Sequence, residues 1–140
     1  MDDIRITLDK NEIDLNIVHQ FLKTAYWSKD IPKSVLEKAF NNSLCVGLIR
    51  NNQIIGFGRA ITDYATFAYL ADIYVETQFR GKGYAKLIVK ALLDQCDSKE
   101  LRRILLATAD AHGLYRKFGF ADLAKPENFL EITQPNIYQR

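Results

Sequence analysis

The chain has 140 residues, of which 48% are hydrophobic and 26% are charged, and this is the size and composition of one ordinary globular domain, predicted to span residues 1–140. The formal net charge of +2 is too small to indicate nucleic acid or an anionic membrane as the main partner. The sequence contains neither an apolar run of roughly 20 residues nor a basic segment followed by an apolar one, so we expect a cytoplasmic protein without a membrane span.

The first half of the chain contains strand-like and helix-like patterns of ordinary length. Apolar and polar residues alternate over residues 4–8, which predicts a short half-buried strand. Apolar residues then recur at steps of four within residues 12–26, and again on one side of residues 33–42 after a proline, so each segment is predicted to form an amphipathic helix. Two β-like runs joined by a pair of asparagines within residues 43–62 predict a hairpin.

The second half alternates strands with helices. An apolar strand is predicted over residues 67–75, a helix over residues 84–97 and a buried strand over residues 102–109. A short helix is then predicted to end at Gly119 ahead of another strand, and residues 127–132 are predicted to form the last strand.

Together these elements predict an α/β (α+β) fold with a mixed, mostly antiparallel central sheet and flanking helices. The hairpin strands are expected to be antiparallel. The connection from strand 67–75 through the helix to strand 102–109 is expected to be a parallel, right-handed crossover.

Gly81 and Gly83 stand between the strand over residues 67–75 and the helix that follows it. Each glycine costs about 1 kcal/mol relative to alanine inside a helix, so their presence indicates a ligand that must approach the backbone. Unpaired N–H groups and the positive end of the helix dipole at this position favour an anion such as a pyrophosphate. The spacing matches neither the P-loop nor the dinucleotide-binding pattern, and a tight strand-to-helix turn without a ligand is the alternative.

Two segments in the second half resemble the GNAT superfamily of N-acetyltransferases. They are "LADIYVETQFRGKGYAKLIV", residues 70–89, and "LYRKFGF", residues 114–120. In that family an (R/Q)xxGx(G/A) loop after a strand binds the pyrophosphate of acetyl-coenzyme A, and a later LYxKxGF segment closes the site. The wider sequence resembles a bacterial branch of mostly uncharacterised acetyltransferases. The resemblance implies a GNAT-like acyl-CoA N-acyltransferase fold.

The resemblance also implies an activity, which is the direct transfer of an acetyl group from acetyl-coenzyme A to a primary amine of an unidentified small-molecule or peptide acceptor. No metal is expected to take part. The strand over residues 67–75 is expected to carry a bulge and to diverge from the strand over residues 102–109, which leaves a V-shaped gap for the pantetheine arm. The implied coenzyme contacts are Ile73, Tyr74, Val75, Gln78, Arg80, Gly81, Lys82, Gly83, Tyr84, Ala85, Leu114 and Lys117.

Tyr115 and Asp72 are the side chains with a predicted catalytic role. Tyr115 matches the family's tyrosine whose hydroxyl faces the coenzyme sulfur, so we expect it to protonate the departing thiolate. Asp72 is predicted to accept the amine proton. Polyamine acetyltransferases of the superfamily carry a glutamate one residue earlier, where this chain has Ala71, and an ion-pair or hydrogen-bonding role for Asp72 is the open alternative.

A second departure from the family pattern precedes Tyr115. Many members have an asparagine seven residues before the tyrosine, and this chain has Thr108 there, so that coenzyme contact is expected to be altered or to move to Asp110. The acceptor-binding wall is predicted from aromatic residues in two loops, with core packing as the alternative. These residues are Tyr26, Trp27, Tyr64 and Phe67.

The sequence also leaves two other classes of function open. Ala71 and Thr108 are compatible with a non-catalytic acetyl-coenzyme A-binding sensor or interaction module. A nucleic-acid-binding domain is a third hypothesis, and the near-neutral net charge argues against it; the residues it would use are Lys82, Lys86, Lys90, Arg102 and Arg103. The oligomeric state is predicted only as monomer or homodimer.

Overall fold

A five-stranded sheet forms the centre of the fold in the computed structural model, which describes residues 3–139. The strands lie side by side in chain order: β1 (Ile4–Thr7), β2 (Leu44–Arg50), β3 (Gln53–Thr62), β4 (Phe67–Val75) and β5 (Arg103–Leu105). Within β1 to β4, each strand is antiparallel to the next, and β5 runs parallel to β4. The predicted mixed, mostly antiparallel sheet is therefore confirmed.

Helices cover both faces of this sheet. They are α1 (Leu15–Leu22), α2 (Lys33–Asn41), α3 (Tyr84–Gln95) and α4 (His112–Arg116). Residues of α1 and α2 share one apolar cluster with β2 and β3, whereas residues of α3 and α4 share a second cluster on the opposite face. In the described part of the chain, no helix has the length and apolar character that a bilayer span requires.

Close contact between α3 and β3 depends on Gly58. A Cβ atom at this position would lie 2.6 Å from Cγ2 of Ile88, a fully buried residue of α3. Real Cβ atoms do not approach other atoms so closely, so any side chain here would push the helix away from the sheet.

Gly58→Ala is therefore expected to lower the free energy of unfolding by about 1–3 kcal/mol, the usual cost of overpacking a core. Denaturant unfolding measures the effect. As a control, the double variant Gly58→Ala with Ile88→Ala should be destabilised by less than the sum of the single variants, because the second change removes the clashing methyl group. Additive losses would show that the contact with Ile88 is not the cause.

The end of the chain differs from the prediction. The strands expected after Gly119 and over residues 127–132 are wrong, because these residues form no strand and only short 3₁₀ turns occur, at Pro126–Asn128 and Ile137–Gln139. The strand expected over residues 102–109 is reduced to Arg103–Leu105. The physical reason is pairing: β4 leaves β5 after a few residues, and a strand without a neighbour has no partners for its backbone groups.

Candidate active site

The candidate site is the gap that opens between β4 and β5. The two strands pair only from Phe67 opposite Arg103 to Tyr69 opposite Leu105. Beyond that point the register between β3 and β4 shifts, and Asp72 takes a left-handed backbone conformation with φ of 56°. A β-bulge of this kind bends a strand away from its neighbour. The bulge and the V-shaped gap that the resemblance implied are both present, and the gap contains a cavity of about 580 Å³.

The glycine loop lies at the end of β4 and leads into α3. Gly81 and Gly83 both have φ of 80°, a conformation that other residues adopt only with strain. A Cβ atom added to either glycine would meet no atom within 4 Å, so neither residue is glycine because of packing within the chain. The backbone N–H groups of residues 81–86 donate to no acceptor outside their own helix in the described part of the chain. These donors and this open space fit a phosphate group.

Arg80 fixes this loop to the end of β4. Its Nε donates a hydrogen bond of 2.7 Å to the carbonyl oxygen of Val75, and its guanidinium lies 5.0 Å from the ring centroid of Tyr74. The neighbouring side chains of Gln78 and Lys82 are exposed to solvent. Arg80 therefore ties the backbone of the loop to β4, and the ammonium group of Lys82 is exposed beside it.

The first residues of α3 and the last residues of β4 border the loop. Ile73 packs toward the α3 side of the sheet, and Tyr74 stacks on Phe21 of α1 on the other side, with ring centroids 5.0 Å apart. Tyr84 and Ala85 begin α3 and are half-buried against the same cluster as Ile73. The side chains of Ile73 and Tyr74 are thus used in packing, which leaves the backbone of β4 for contacts across the gap.

Tyr115 projects from α4 into the cavity. The residue is only 8% exposed, and its ring packs edge-to-face on Phe120 with centroids 5.9 Å apart. Burial, with smaller contributions from Tyr26 and Asp110, raises the pKa of Tyr115 to about 12. Its hydroxyl group is therefore protonated near neutral pH and can act as a hydrogen-bond donor.

The loop before α4 forms one wall of the cavity. Thr108 Oγ1 accepts a hydrogen bond of 3.1 Å from the N–H of Ala111, which stabilises the turn into the helix. The N–H of Ala109 donates to the hydroxyl of Tyr26 over 2.9 Å and so links this loop to the segment after α1. Thr108 and Asp110 both line the cavity.

Leu114 and Lys117 do not line this cavity. Leu114 is half-buried in the α3-side cluster, and Lys117 is exposed at the end of α4. Their predicted contact with the coenzyme remains a prediction.

The opposite wall is aromatic and is held by a polar network. Trp27 packs edge-to-face on Tyr26 with ring centroids 5.0 Å apart, and its Nε1 donates a hydrogen bond of 2.7 Å to Oδ1 of Asp72. Oδ2 of Asp72 accepts a hydrogen bond of 2.6 Å from Nε of Arg59, and Arg59 Nη1 donates to Ser43 Oγ over 3.0 Å. The side chains of Arg59 and Asp72 are only 15% and 8% exposed.

Both carboxylate oxygens of Asp72 therefore already accept hydrogen bonds, one of them from a guanidinium group. Such an arrangement matches the alternative left open by the sequence, in which Asp72 is an ion-pair and hydrogen-bonding residue that orients Trp27. Accepting a proton from an amine would require Asp72 to weaken one of these contacts.

Two predicted acceptor residues lie elsewhere. Tyr64 lies in the turn before β4, and Phe67 starts the strand where it still pairs with β5, so neither lines the cavity, which opens only after the strands diverge. Residues that the sequence did not indicate line it instead, and they include Ile31, Arg59, Ile61, Tyr69 and Tyr138. The one signal for Arg59 in the sequence was its position as a charged residue inside the otherwise apolar run of β3. The sequence contains no comparable signal for Tyr138, which reaches the cavity from the far end of the chain.

Within residues 3–139, no group of three or more His, Cys, Asp or Glu side chains is arranged to hold a metal ion.

Comparisons with known proteins agree with this geometry. A family model described as the acetyltransferase (GNAT) family matches residues 15–120. An uncharacterised N-acetyltransferase of Pyropia yezoensis, ycf52, is 31% identical over an alignment of 123 positions, and the alignment covers 84% of this chain and 70% of that protein.

Two solved structures are also similar to this chain. One from Xanthomonas campestris pv. campestris, assigned to the GNAT family of acetyltransferases, is 37% identical, has a TM-score of 0.94 and covers 99% of this chain and 98% of that chain. A second, from Clostridium acetobutylicum, contains acetyl-CoA and is described as a predicted acetyltransferase. It shares the fold with a TM-score of 0.67 at 20% identity, over 95% of this chain and 96% of that chain. The chain therefore belongs to the GNAT family and is an acetyl-CoA-dependent acyltransferase.

Proposed function

We propose that the protein transfers an acetyl group directly from acetyl-coenzyme A to a primary amine of a small molecule or peptide. The observation that carries this proposal is the position of Tyr115, a buried hydroxyl donor in the gap between β4 and β5. Acyl transfer to an amine needs a neutral amine, donors toward developing negative charge and a proton for the departing thiolate.

Binding of the coenzyme is assigned to the glycine loop and the diverging part of β4. When bound, acetyl-coenzyme A supplies the acetyl thioester. The amides of residues 81–86 would bind its pyrophosphate, and Lys82 would add positive charge beside them. The backbone of residues 73–75 would hold the pantetheine arm in the gap.

We assign Tyr115 the role of the general acid that donates a proton to the coenzyme sulfur. The hydroxyl carries its proton near neutral pH, since even the ordinary tyrosine pKa near 10 lies well above neutrality and burial raises it to about 12, and it can pass this proton to the thiolate as the carbon–sulfur bond breaks. The amine nitrogen loses one proton as the amide bond forms; that proton passes to water, and Tyr115 regains a proton from water.

We assign binding of the acceptor amine to the wall of the cavity formed by Tyr26, Trp27 and Tyr138. Aromatic faces attract an ammonium group and pack against an aliphatic chain, so this wall suits an amine carried on an apolar body. The Asp72–Arg59 pair is assigned the role of holding Trp27 in this wall.

An acetylation screen tests the proposed function. The wild-type chain is incubated with acetyl-coenzyme A and separate pools of amino acids, polyamines, aliphatic amines and peptides with free N-termini, and products are identified by mass spectrometry. We expect one amine class to gain an acetyl group in proportion to enzyme concentration. If acetyl-coenzyme A binds but none of these amines is acetylated, the proposal is wrong and a coenzyme-binding module is favoured.

Asp72→Asn tests the role of the Asp72–Arg59 pair. We expect the free energy of unfolding to fall by about 3 kcal/mol, because the change leaves a largely buried guanidinium group without its counter-charge. Per folded molecule, the pH–rate profile should keep the wild-type shape, since the pair is proposed to position Trp27 rather than to accept the proton. Denaturant unfolding measures the first quantity, and rates over a pH series, corrected for the folded fraction, measure the second.

Asp97→Asn is the control, because Asp97 follows α3, does not line the cavity and forms no ion pair in the described part of the chain. If Asp72→Asn instead removes a titration from the rising limb of the profile, and Asp97→Asn does not, Asp72 is the proton acceptor.

A further inference from the structure

The segment that joins β5 to α4 has no neighbouring strand to support it. β5 ends at Leu105 and α4 begins at His112, and we call residues 106–111 the β5–α4 segment. Within residues 3–139, the backbone of residues 107–110 forms no hydrogen bond with the main chain of another segment. Residues 106–108 line two cavities, the site cavity of about 580 Å³ and a second one of about 290 Å³. Contacts from outside the sheet must therefore fix the position of this segment.

One hydrogen bond ties the middle of the β5–α4 segment to a distant part of the chain. The N–H of Ala109 donates over 2.9 Å to the hydroxyl of Tyr26, which lies 83 residues earlier. In the described chain, the other hydrogen bonds of residues 107–111 are local and run to Thr108 Oγ1 or into α4. The tie consequently depends on the hydroxyl of Tyr26 and not on its ring.

Tyr26 is itself fixed by its neighbours in the loop between α1 and α2. Ser28 is 5% exposed, and its Oγ donates a hydrogen bond of 2.6 Å to the carbonyl oxygen of Leu22, the last residue of α1. Trp27 packs on the ring of Tyr26 and donates a hydrogen bond to Asp72 of β4. The position of the Tyr26 hydroxyl is therefore set by α1 and β4, and the hydrogen bond to Ala109 extends this support across the cavity.

Tyr115 lies one helical turn beyond the end of the β5–α4 segment. The carbonyl oxygen of Ala111 accepts hydrogen bonds from the N–H groups of Leu114 and Tyr115, over 3.1 and 3.4 Å. A shift of the segment would therefore move the first turn of α4 and the phenol ring with it. Burial is the main cause of the raised pKa of Tyr115, and Tyr26 makes the next largest contribution, which agrees with two hydroxyls that face the same part of the cavity.

We propose that Tyr26 is a positioning residue for Tyr115. Its hydroxyl holds Ala109, and through the β5–α4 segment it holds the phenol of Tyr115 in place for proton transfer to the coenzyme sulfur. The inference rests on the proposed function, because it takes the role of Tyr115 as general acid from there. A misplacement of about 1 Å at a reacting group can cost about 10²-fold in rate, so even a partial loss of this tie slows the reaction.

Hydrogen exchange tests the tie without any acceptor. Tyr26→Phe keeps the ring that packs on Trp27 and removes only the hydroxyl. We expect peptides that cover residues 106–116 to exchange their amide hydrogens about 2- to 10-fold faster in this variant, while peptides from the β2–β3 hairpin stay unchanged. Tyr64→Phe is the control, because Tyr64 is 55% exposed and does not line the cavity. Unchanged exchange over residues 106–116 in Tyr26→Phe would overturn the inference.

Steady-state kinetics with the amine that the acetylation screen identifies test the consequence for catalysis. At saturating amine, Tyr26→Phe is expected to lower kcat about 10-fold and to leave the KM for acetyl-coenzyme A unchanged, since the tie affects the proton donor and not the phosphate site. If Tyr26 acts through the hydroxyl of Tyr115, its loss has nothing left to misplace in Tyr115→Phe. In that background we expect Tyr26→Phe to change kcat by less than about 2-fold.

The four variants of this cycle separate the inference from the proposed function. Equal falls in kcat in the wild-type and Tyr115→Phe backgrounds, with Tyr115→Phe itself slow, would overturn the inference and leave the general-acid assignment standing. An unchanged kcat in Tyr26→Phe would also overturn the inference alone. Wild-type turnover in Tyr115→Phe would overturn the general-acid assignment, and the positioning role of Tyr26 with it.

Discussion

Gly83→Glu is expected to weaken the binding of acetyl-coenzyme A roughly 10- to 100-fold. The change puts a carboxylate beside the proposed pyrophosphate site, and two like charges a few ångströms apart repel by several kcal/mol at an intermediate dielectric, reduced here by solvent and salt. It also adds a side chain where the backbone N–H groups of the loop must reach the ligand. Isothermal titration calorimetry with the folded variant measures the loss.

The control for Gly83→Glu must separate the charge from the backbone. Gly83 has φ of 80°, so any side chain there adds strain of about 1–2 kcal/mol. Gly83→Asn adds a side chain of nearly the same size without the charge, and asparagine tolerates this conformation well. We expect the asparagine variant to bind more tightly than the glutamate variant. Equal affinity in the wild type and the folded glutamate variant would show that this loop does not bind the phosphates.

The sheet was predictable where a local pattern also determines the pairing. The bounds of β4, Phe67–Val75, agree with the strand predicted from its aromatic and apolar residues, and the hairpin of β2 and β3 follows from the asparagine turn at residues 51–52. In each case neighbours in the sequence are also neighbours in the sheet, so local information is sufficient.

The tail was not predictable for the opposite reason. Residues 127–132 have the apolar character of a strand, but a strand also needs a partner, and the sequence does not show which edge is available. β5 is the last strand of the sheet, yet the tail does not pair with its free edge, and Leu130 and Ile132 are exposed. The same tail places Tyr138 in the cavity, through a tertiary path that no pattern in residues 133–140 indicates.

The site was predictable to the extent that it follows a motif. The glycine loop and Tyr115 lie at fixed distances along the chain from the ends of β4 and β5, so the motif located them. The polar network around Asp72 depends instead on contacts between distant segments, since Trp27 and Arg59 come from a loop and from the neighbouring strand. Sequence analysis therefore located Asp72 without its partners, and the partners are what change the interpretation of its role.

Tyr115→Phe is expected to lower turnover by about 10²-fold while the affinity for acetyl-coenzyme A stays unchanged. The aromatic ring packs on Phe120 in either form, so the shape of the cavity is preserved. Only the hydroxyl can deliver a proton to the departing thiolate, and a general acid typically contributes 10²- to 10⁴-fold. Steady-state rates with the amine identified by the screen, together with calorimetry, measure the two quantities.

The stability of the folded protein at alkaline pH gives a second measurement for Tyr115→Phe. The pKa of Tyr115 is raised from its ordinary value near 10 to about 12, so the folded wild type holds this proton more tightly than the unfolded chain does. The resulting stabilisation is complete below about pH 10 and is lost as the pH rises through about 12, a loss that Tyr115→Phe should not show. Tyr64→Phe is the matched control, because Tyr64 is 55% exposed and lies away from the cavity. Wild-type turnover in Tyr115→Phe would remove the hydroxyl from the mechanism, and the thiolate would then have to take its proton from water.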